Sequence, residues 1–517
     1  MSRIRRLSHS LSSGYVQIFA NTAFTLLSVP LALHYLSKSE FGLWALVTQV
    51  VGYISMVELG MTAAMGRVLI DHKDRPAEGT YGSVIKTGCL VLVVQGALVA
   101  LLSWSLGLLL PRLLDIPPEL SVPFNWLVGG YGLITGLLFP QRMLLCVYYA
   151  HQRYDVLNYS TAGSFAFSLS ALWLGLHYGL GVYSLLVSNV IGMLLQAAVQ
   201  VDLARRLQLL PPRGAWGHFD KKIFREIFLF GSDLFLLSLG LQLLNGSQAI
   251  IITRILGLEA AAVWSVATKL FTLAQQFVWR LWDFSVGAIS EMMVRNETER
   301  LRKRFQDIFV VTGSVAVLVG ILVAACNESV LSIWTRNRIA WNAVNDVLMA
   351  IMFVVTSVTR LHVGYITTSK KIQAMRYIYF FEGISFVSAA VVLAHWWNFA
   401  GVVAAAIVMN ILWSGIYGTR RTCETFSVSA SEMIRDWLAP AARLALALAP
   451  LAILCWWLVR PLPSLARGLV SGVVVGTMGT FLLWTLGLTP ALRDETGALI
   501  AKAWQRVKFG KSRAEGI

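Results

Sequence analysis

Charge is scarce in this chain. Of its 517 residues only 14% are Asp, Glu, Lys or Arg, 56% are hydrophobic, and the mean hydropathy is +0.66. A soluble protein of this length carries about a quarter charged residues. A cytosolic enzyme, a secreted domain and a coiled coil are therefore excluded at the outset. Acid is scarcer than base, with 27 Asp and Glu against 43 Lys and Arg, a formal net charge of +16. On a soluble chain that excess would suggest nucleic acid; on an apolar one it marks basic cytoplasmic loops that fix topology. No nucleic-acid partner is expected. The five cysteines, Cys89, Cys146, Cys326, Cys423 and Cys455, form no CxxC and have no His at ligand spacing. They fit neither a disulfide framework nor a zinc site, so no metal is expected.

Catalytic signatures are also missing. The chain has no GxxxxGK[ST], no GxSxG and no HExxH, so no catalytic residue and no cofactor are assigned. The rival from another class is a membrane glycosyltransferase or polymerase. Such an enzyme needs a sizeable outer loop with acids placed for proton transfer. Here the outer loops reach about fourteen residues, and their acids (Asp115, Glu119, Glu328) are scattered.

What the chain has is long apolar runs. At about 20 residues per crossing they predict an all-α polytopic membrane protein of about fourteen spans: 14–36, 41–64, 87–109, 123–145, 157–177, 180–202, 226–255, 260–290, 308–326, 341–368, 377–396, 399–418, 438–459 and 467–489. No strand-like alternation is sustained, which argues against a barrel. Arg3, Arg5 and Arg6 precede the first run as in a signal peptide, but the run is long, contains Gln17, Asn21, Thr22 and Thr25, and reads as an uncleaved span. With a cytoplasmic N-terminus, most of the Lys and Arg fall on inner segments and few on outer loops. That asymmetry is what the positive-inside rule demands; it puts both termini in the cytoplasm and makes the span count even.

The longest inner loop, holding PPRG and the pairs Arg205/Arg206 and Lys221/Lys222, follows the sixth span and reads as a linker. The predicted organisation is a cytoplasmic tail (1–13), a first six-helix lobe (14–205), the linker (206–225), a second lobe (226–420), two further helices (421–489) and a basic cytoplasmic tail (490–517). LSKSEFGLW after span one and LGLEAAAVW after span seven pair at an offset near 220 residues. Together with the six-plus-six count, they suggest a repeated transporter fold.

Polar residues inside spans are costly in lipid and so carry information. Span eight places Lys269, Thr272, Gln276, Arg280 and Asp283 at i, i+3, i+7, i+11 and i+14, one face of a helix about 21 Å long. Such a stripe needs water or polar partners. Span one offers Gln17, Asn21 and Ser28; span two Trp44, Thr48, Ser55, Glu58 and Thr62; span seven Asp233, Ser238, Gln242, Asn245 and Arg254; span ten Thr356 and Arg360. Cations in this set, Lys269, Arg280 and Arg360 with Arg254 and Arg142, fit an anionic substrate through charge-assisted bonds to phosphate oxygens. Gln17, Asn21, Gln242, Asn245, Thr272 and Gln276 would line the cavity. Bland readings stand beside these: Arg280 and Asp283 as a helix-spaced ion pair, and Arg254 snorkelling from its span end. Glu58, Asp233 and Asp283 are the candidate coupling acids; a buried, neutral, hydrogen-bonded carboxyl is the alternative for the first two.

LSKSEFGLWALVTQVVGYISMVELG and ITRILGLEAAAVWSVATKLFTLAQQF resemble the polysaccharide-transport branch of the multidrug/oligosaccharidyl-lipid/polysaccharide (MOP) exporter superfamily, the branch of the Wzx-type flippases, over about 14–420. The resemblance implies a protein of the bacterial inner membrane that moves a polyprenyl-diphosphate-linked oligosaccharide from the inner to the outer leaflet by alternating access, for surface polysaccharide (O-antigen, capsule or exopolysaccharide). It also implies coupling to an H+ or Na+ gradient, and a polysaccharide polymerase and chain-length proteins as partners beside the bilayer. Two departures stand out. Many relatives carry an acid in mid-span seven, where this chain has Ser247 and Gln248; many have a Pro after span eight, where it reads DFSVGAISEMM. The two additional C-terminal spans are similar to those of lipid II flippases, which with a cation-coupled multidrug antiporter are the alternatives within transport.

Overall fold

The computed structural model describes residues 3–72, 79–369 and 374–498, and among them every regular element is helical. The helices are α1 (Arg3–Tyr35), α2 (Lys38–Ile54), α3 (Met61–His72), α4 (Thr80–Leu113), α5 (Pro118–Leu137), α6 (Arg142–Ala150), α7 (Tyr154–His177), α8 (Tyr183–Arg206), α9 (Lys221–Leu256), α10 (Leu258–Ala267), α11 (Lys269–Val294), α12 (Thr298–Trp334) and α13 (Ala343–Thr368). After these come α14 (Met375–Asn410), α15 (Ile416–Phe426), the short α16 (Ala430–Glu432), α17 (Ala439–Val459) and α18 (Ser464–Leu482). Starts are set locally. Ser37 Oγ accepts from Glu40 N at 3.2 Å while Glu40 Oε2 accepts from Ser37 N at 2.8 Å, a capping box that opens α2 inside the LSKSEFGLW stretch.

Ten helical stretches among the described residues are long and apolar enough to cross a bilayer, and an eleventh joins them if α5 and α6, bent by 43° at their break, count as one. One stretch, Met375–Phe426, runs for 52 residues. Straight, it would be about 78 Å long, far beyond a hydrocarbon core of about 30 Å. It is not straight: Asn398 sits at φ 49°, ψ −129°, and a Cβ on Gly401 would lie 2.1 Å from Leu393 O. Residues eight apart in one helix never meet, so the helix is broken here and the chain turns sharply. α7 and α11 fall outside the apolar set for a physical reason. α7 spends Ser160, Ser164 and Ser168 on burial, and α11 carries the polar stripe.

Two expected spans are discontinuous. The run 41–64 is broken by a 3-10 turn (Ser55–Glu58) and two left-handed residues, Leu59 (φ 54°) and Gly60 (φ 70°). The run 260–290 is split at Thr268, which makes Lys269 the first residue of α11.

The chain clusters into two compact units. The first holds α1–α9, the stretch to Val266, residues 334–339 and Met375–Val402. Small residues let its helices approach closely. A Cβ on Gly96 of α4 would lie 2.2 Å from Gly136 O of α5, and one on Gly136 2.3 Å from Gly96 O. This close approach is the usual helix contact in lipid, where apolar burial drives nothing. α7 and α8 pack likewise, with Ser188 Oγ donating to Ser168 O at 2.7 Å. The second unit holds Ala267–Ile333, Ala340–Ala374 and the chain from Val403. Its core is aromatic around Phe305, Phe309, Trp282, Tyr365, Phe426 and Trp437, and aliphatic where α17 and α18 pack with Val317 of α12 through Leu444, Leu448 and Val475.

Pro30 supplies a local test in the first unit. It has no N–H for the carbonyl of Leu26, one turn back in α1, and Trp334 Nε1 donates to that carbonyl instead at 2.7 Å. Trp334→Phe is expected to destabilise by about 1 kcal/mol, and by less in a Pro30→Ala background, where the helix provides its own donor. Equilibrium unfolding of this double-mutant cycle in mixed micelles reads the difference. An equal cost in both backgrounds would mean the indole does not stand in for the missing amide.

Candidate functional site

In the second unit the polar stripe of α11 meets α13. Arg360 Nη2 lies 3.3 Å from Asp283 Oδ1, and Arg280 Nη1 lies 3.7 Å from Asp283 Oδ2. One carboxylate is thus shared by two guanidiniums, and all three side chains are a third or more exposed. The Arg360 guanidinium stacks 4.3 Å from the Trp279 ring centroid. Its Nε–H and the Trp279 Nε1–H are buried and have no partner among the described residues. Gln275, not its neighbour Gln276, makes the next cross-helix bond, donating to Thr356 Oγ1 at 2.8 Å. Gln276 is half-buried, and Thr272 is exposed with its hydroxyl bonded back to Thr268 O. Lys269 is half-buried, with no ion pair among the described residues. Eleven residues of α11 separate it from Arg280, a rise of about 16 Å, so one diphosphate cannot reach both. The assembled set carries two positive charges against one negative, with spare N–H donors: an anion receiver whose own carboxylate can be displaced.

A second polar cluster lies where α12, α13 and the end of α10 come together in the same unit. Asn327 Nδ2 donates to Asp346 Oδ1 at 2.6 Å and to Ala267 O at 3.1 Å, and Trp341 Nε1 donates to Asp346 Oδ1 at 2.9 Å. Asn327 is 0% and Asp346 1% exposed, and Asn327 Oδ1 and Asp346 Oδ2 have no partner among the described residues. The sequence reading missed both, since each falls at a span end and looks like a loop residue. An aliphatic cavity of about 560 Å³ adjoins Asp346, walled by α12, α13 and α17 through Val317, Ile321, Ala350, Val354 and Ala452.

In the first unit Glu58 and Arg142 form a partly buried ion pair at the break in span two. Glu58 Oε1 also accepts from Thr62 N at 3.0 Å, capping the helix that resumes there, and Gln95 Nε2 of α4 donates to the freed carbonyls of Val57 and Glu58 at 3.1 and 3.2 Å. Arg142 further lies 4.2 Å from the Phe139 ring centroid at the α5–α6 bend. Two discontinuous segments are thus joined by one charge pair, and Arg142 is committed to Glu58 rather than standing as a free cation. Arg254 pairs with Asp115, and both side chains are well exposed. Gln242 packs at Gly52 of α2, and Tyr53 donates to its backbone carbonyl at 3.1 Å. Asn245 bonds back to Leu241 O on its own helix. Gln17 and Asn21 lie half-buried on α1 with no hydrogen-bond partner among the described residues. Asp233 lies on α9, but its side chain falls outside the described residues. Ser247 bonds to Tyr53.

Residues 8–281 match the model of a family described as polysaccharide biosynthesis protein. No significant relative emerges among curated proteins. Among solved structures the chain is similar to a multidrug resistance MATE-family transporter of the MOP superfamily in an inward-facing conformation, at 13% identity and a TM-score of 0.63, covering 83% of this chain and 100% of that one. It is also similar to the lipid II flippase MurJ in an inward closed conformation (11%, TM-score 0.60, 93% and 99% covered). A MOP superfamily transporter from Pyrococcus furiosus matches at 12% and 0.58, covering 82% and 96%. Identities this low establish the shared fold. With its family match running over more than half its length and its helices arranged as in these transporters, the chain belongs to the polysaccharide biosynthesis protein family, as a multi-pass membrane protein of the MOP transporter fold.

Proposed function

We propose that the protein is a flippase that carries a polyprenyl-diphosphate-linked oligosaccharide from the inner to the outer leaflet of a bacterial cytoplasmic membrane, without chemical catalysis and with both termini in the cytoplasm. The observation that supports this reading is the sharing of Asp283 by Arg280 and Arg360 on the polar stripe of α11, in a chain of the polysaccharide biosynthesis family. A diphosphate bears more negative charge than one carboxylate and offers more acceptors. It would displace Asp283 and take up the unused Arg360 Nε–H and Trp279 Nε1–H. Lys269, too far along α11 for the same diphosphate, would meet the sugar portion. Gln276 and Thr272 lie on the same stripe, and the aliphatic cavity beside Asp346 offers a wall to the prenyl chain. The excess of cations over acids favours an anionic headgroup over the cationic drugs of an antiporter. Glu58, held by Arg142 at a helix break, and Asp283, held between two arginines, are the acids whose protonation or cation binding would couple the cycle to an H+ or Na+ gradient. A polymerase and chain-length proteins would receive the product at the outer surface.

The test is single replacement of Lys269, Arg280 and Arg360 by Ala in a deletion strain, assaying surface polysaccharide and lipid-linked intermediates together at matched membrane levels. Losing a charge-assisted contact of about 1.5–3 kcal/mol should cut export about tenfold or more for Arg280→Ala and Arg360→Ala, with repeat units accumulating on the inner leaflet. Normal export in all three variants would refute the assignment. Unchanged glycan with increased sensitivity to cationic drugs on deletion would move the protein to the antiporters.

A further inference from the structure

A polar pocket of about 540 Å³ in the first unit has no role in the reading above. It is lined by His34 and Tyr35 at the end of α1 and by Trp334, Thr335, Arg336 and Arg338. Its construction is rigid for a loop. Trp334 is tied to the Leu26 carbonyl that Pro30 leaves free. Thr335 closes the following turn, accepting from Arg338 N at its carbonyl (3.1 Å) and from Ile339 N at its hydroxyl (3.3 Å). Within that turn Arg336 and Asn337 are both left-handed, at φ 52° and 60°. Left-handed backbone costs a residue with a Cβ about 1–2 kcal/mol, and two in succession persist only where the surroundings impose them. This turn keeps Arg336 and Arg338 exposed and two residues apart, and neither makes an ion pair or side-chain hydrogen bond among the described residues. Most other arginines of the described chain are paired with an acid. Two like-charged guanidiniums carried on a held turn, unpaired among the described residues and beside aromatic side chains, are arranged for an anion with several oxygens.

We propose that this pocket is a phosphate-binding site, with Arg336 and Arg338 gripping the phosphate oxygens and Trp334 and Tyr35 flanking the group that the phosphate carries. Placing it on the outer face, where a translocated headgroup would emerge, rests on the flippase reading and its topology; the phosphate chemistry does not. The phosphate has two sources, the diphosphate of the lipid-linked substrate and the headgroup of an anionic phospholipid. A guanidinium pair recognises both.

Hydrogen exchange over residues 333–340 of the full chain in nanodiscs tests this at the site itself. In phosphatidylcholine nanodiscs, inorganic pyrophosphate should slow exchange across the turn severalfold, and Arg336→Gln/Arg338→Gln should abolish that protection. If protection instead requires phosphatidylglycerol, needs no pyrophosphate and is lost in the same double variant, the site stands and the phospholipid is its occupant. Absence of protection with both probes, or protection that survives the double variant, overturns the proposal. Neither arginine has a packing role, so the variant folds, and wild-type exchange rates elsewhere in the chain verify this. Because the readout is binding at one turn, it stays decisive even if the Lys269, Arg280 and Arg360 variants export normally and the flippase reading falls.

Discussion

Arg142→Leu is expected to cost about 3 kcal/mol of stability, measured by equilibrium unfolding in mixed micelles. Arg142 is the counter-ion of Glu58, and their side chains are 29% and 16% exposed. Removing it leaves a carboxylate with little water beside a helix break. Glu58 also caps the helix that resumes at Thr62 N, so its displacement would loosen that start as well as lose a charge pair. The effect should reach α6, because Arg142 opens that helix at the bend after α5 and stacks on Phe139. Glu58→Gln should cost less, since an amide oxygen can still accept from Thr62 N. Glu58→Gln/Arg142→Gln should be less destabilised than the two single changes added together, as expected for directly interacting residues. Strict additivity, or an Arg142→Leu cost within about 0.5 kcal/mol of zero, the range of an ordinary surface substitution, would mean the pair does not hold the broken segments together.

That break marks where sequence reading stopped. Leu59–Gly60 lies inside a run apolar enough to pass as one span. What permits the interruption is Gln95, 37 and 38 residues further on, whose amide takes up the freed carbonyls. Spacing within one run cannot reveal a donor on another. The helices themselves were legible because the apolar runs are long, and the break at Asn398 was legible as two spans because 52 residues exceed any single crossing. The α11 stripe was legible because a 3.6-residue repeat of polar groups has no stable position against lipid. The sharing of Asp283 was not, since Arg360 is on another helix. The tryptophans show the same limit. In a membrane protein the general expectation for tryptophan is an interfacial belt, yet Trp334 and Trp341 donate to a proline-freed carbonyl and to Asp346, and Trp279 supports an arginine. Each of these roles depends on a partner that only the tertiary fold brings near.

Gly42→Val is expected to prevent accumulation of folded protein, or to cost well over the ~1–3 kcal/mol typical of overpacking. A Cβ at Gly42 would lie 1.9 Å from Leu258 O, 2.8 Å from Leu258 C and 3.2 Å from Ala262 N. All three are backbone atoms and cannot rotate aside, so relief requires moving α2 against α10. Two other glycines calibrate the measurement. Gly52→Ala meets only the flexible Gln242 amide at 3.4 Å and should be near neutral. Gly163→Ala, in α7 with nothing within 4 Å of the added carbon, should stabilise by about 0.5–1 kcal/mol. Monodispersity and thermal midpoints of the purified variants report all three, and a wild-type midpoint for Gly42→Val would defeat the argument. The location gives the result its meaning. Gly42 is the seventh residue of LSKSEFGLW and Ala262 the seventh of LGLEAAAVW. Gly42 of the first stretch therefore lies against the backbone of Leu258 and Ala262, the third and seventh residues of the second. The two similar stretches pack backbone against backbone here, and a larger side chain at Gly42 would drive α2 and α10 apart.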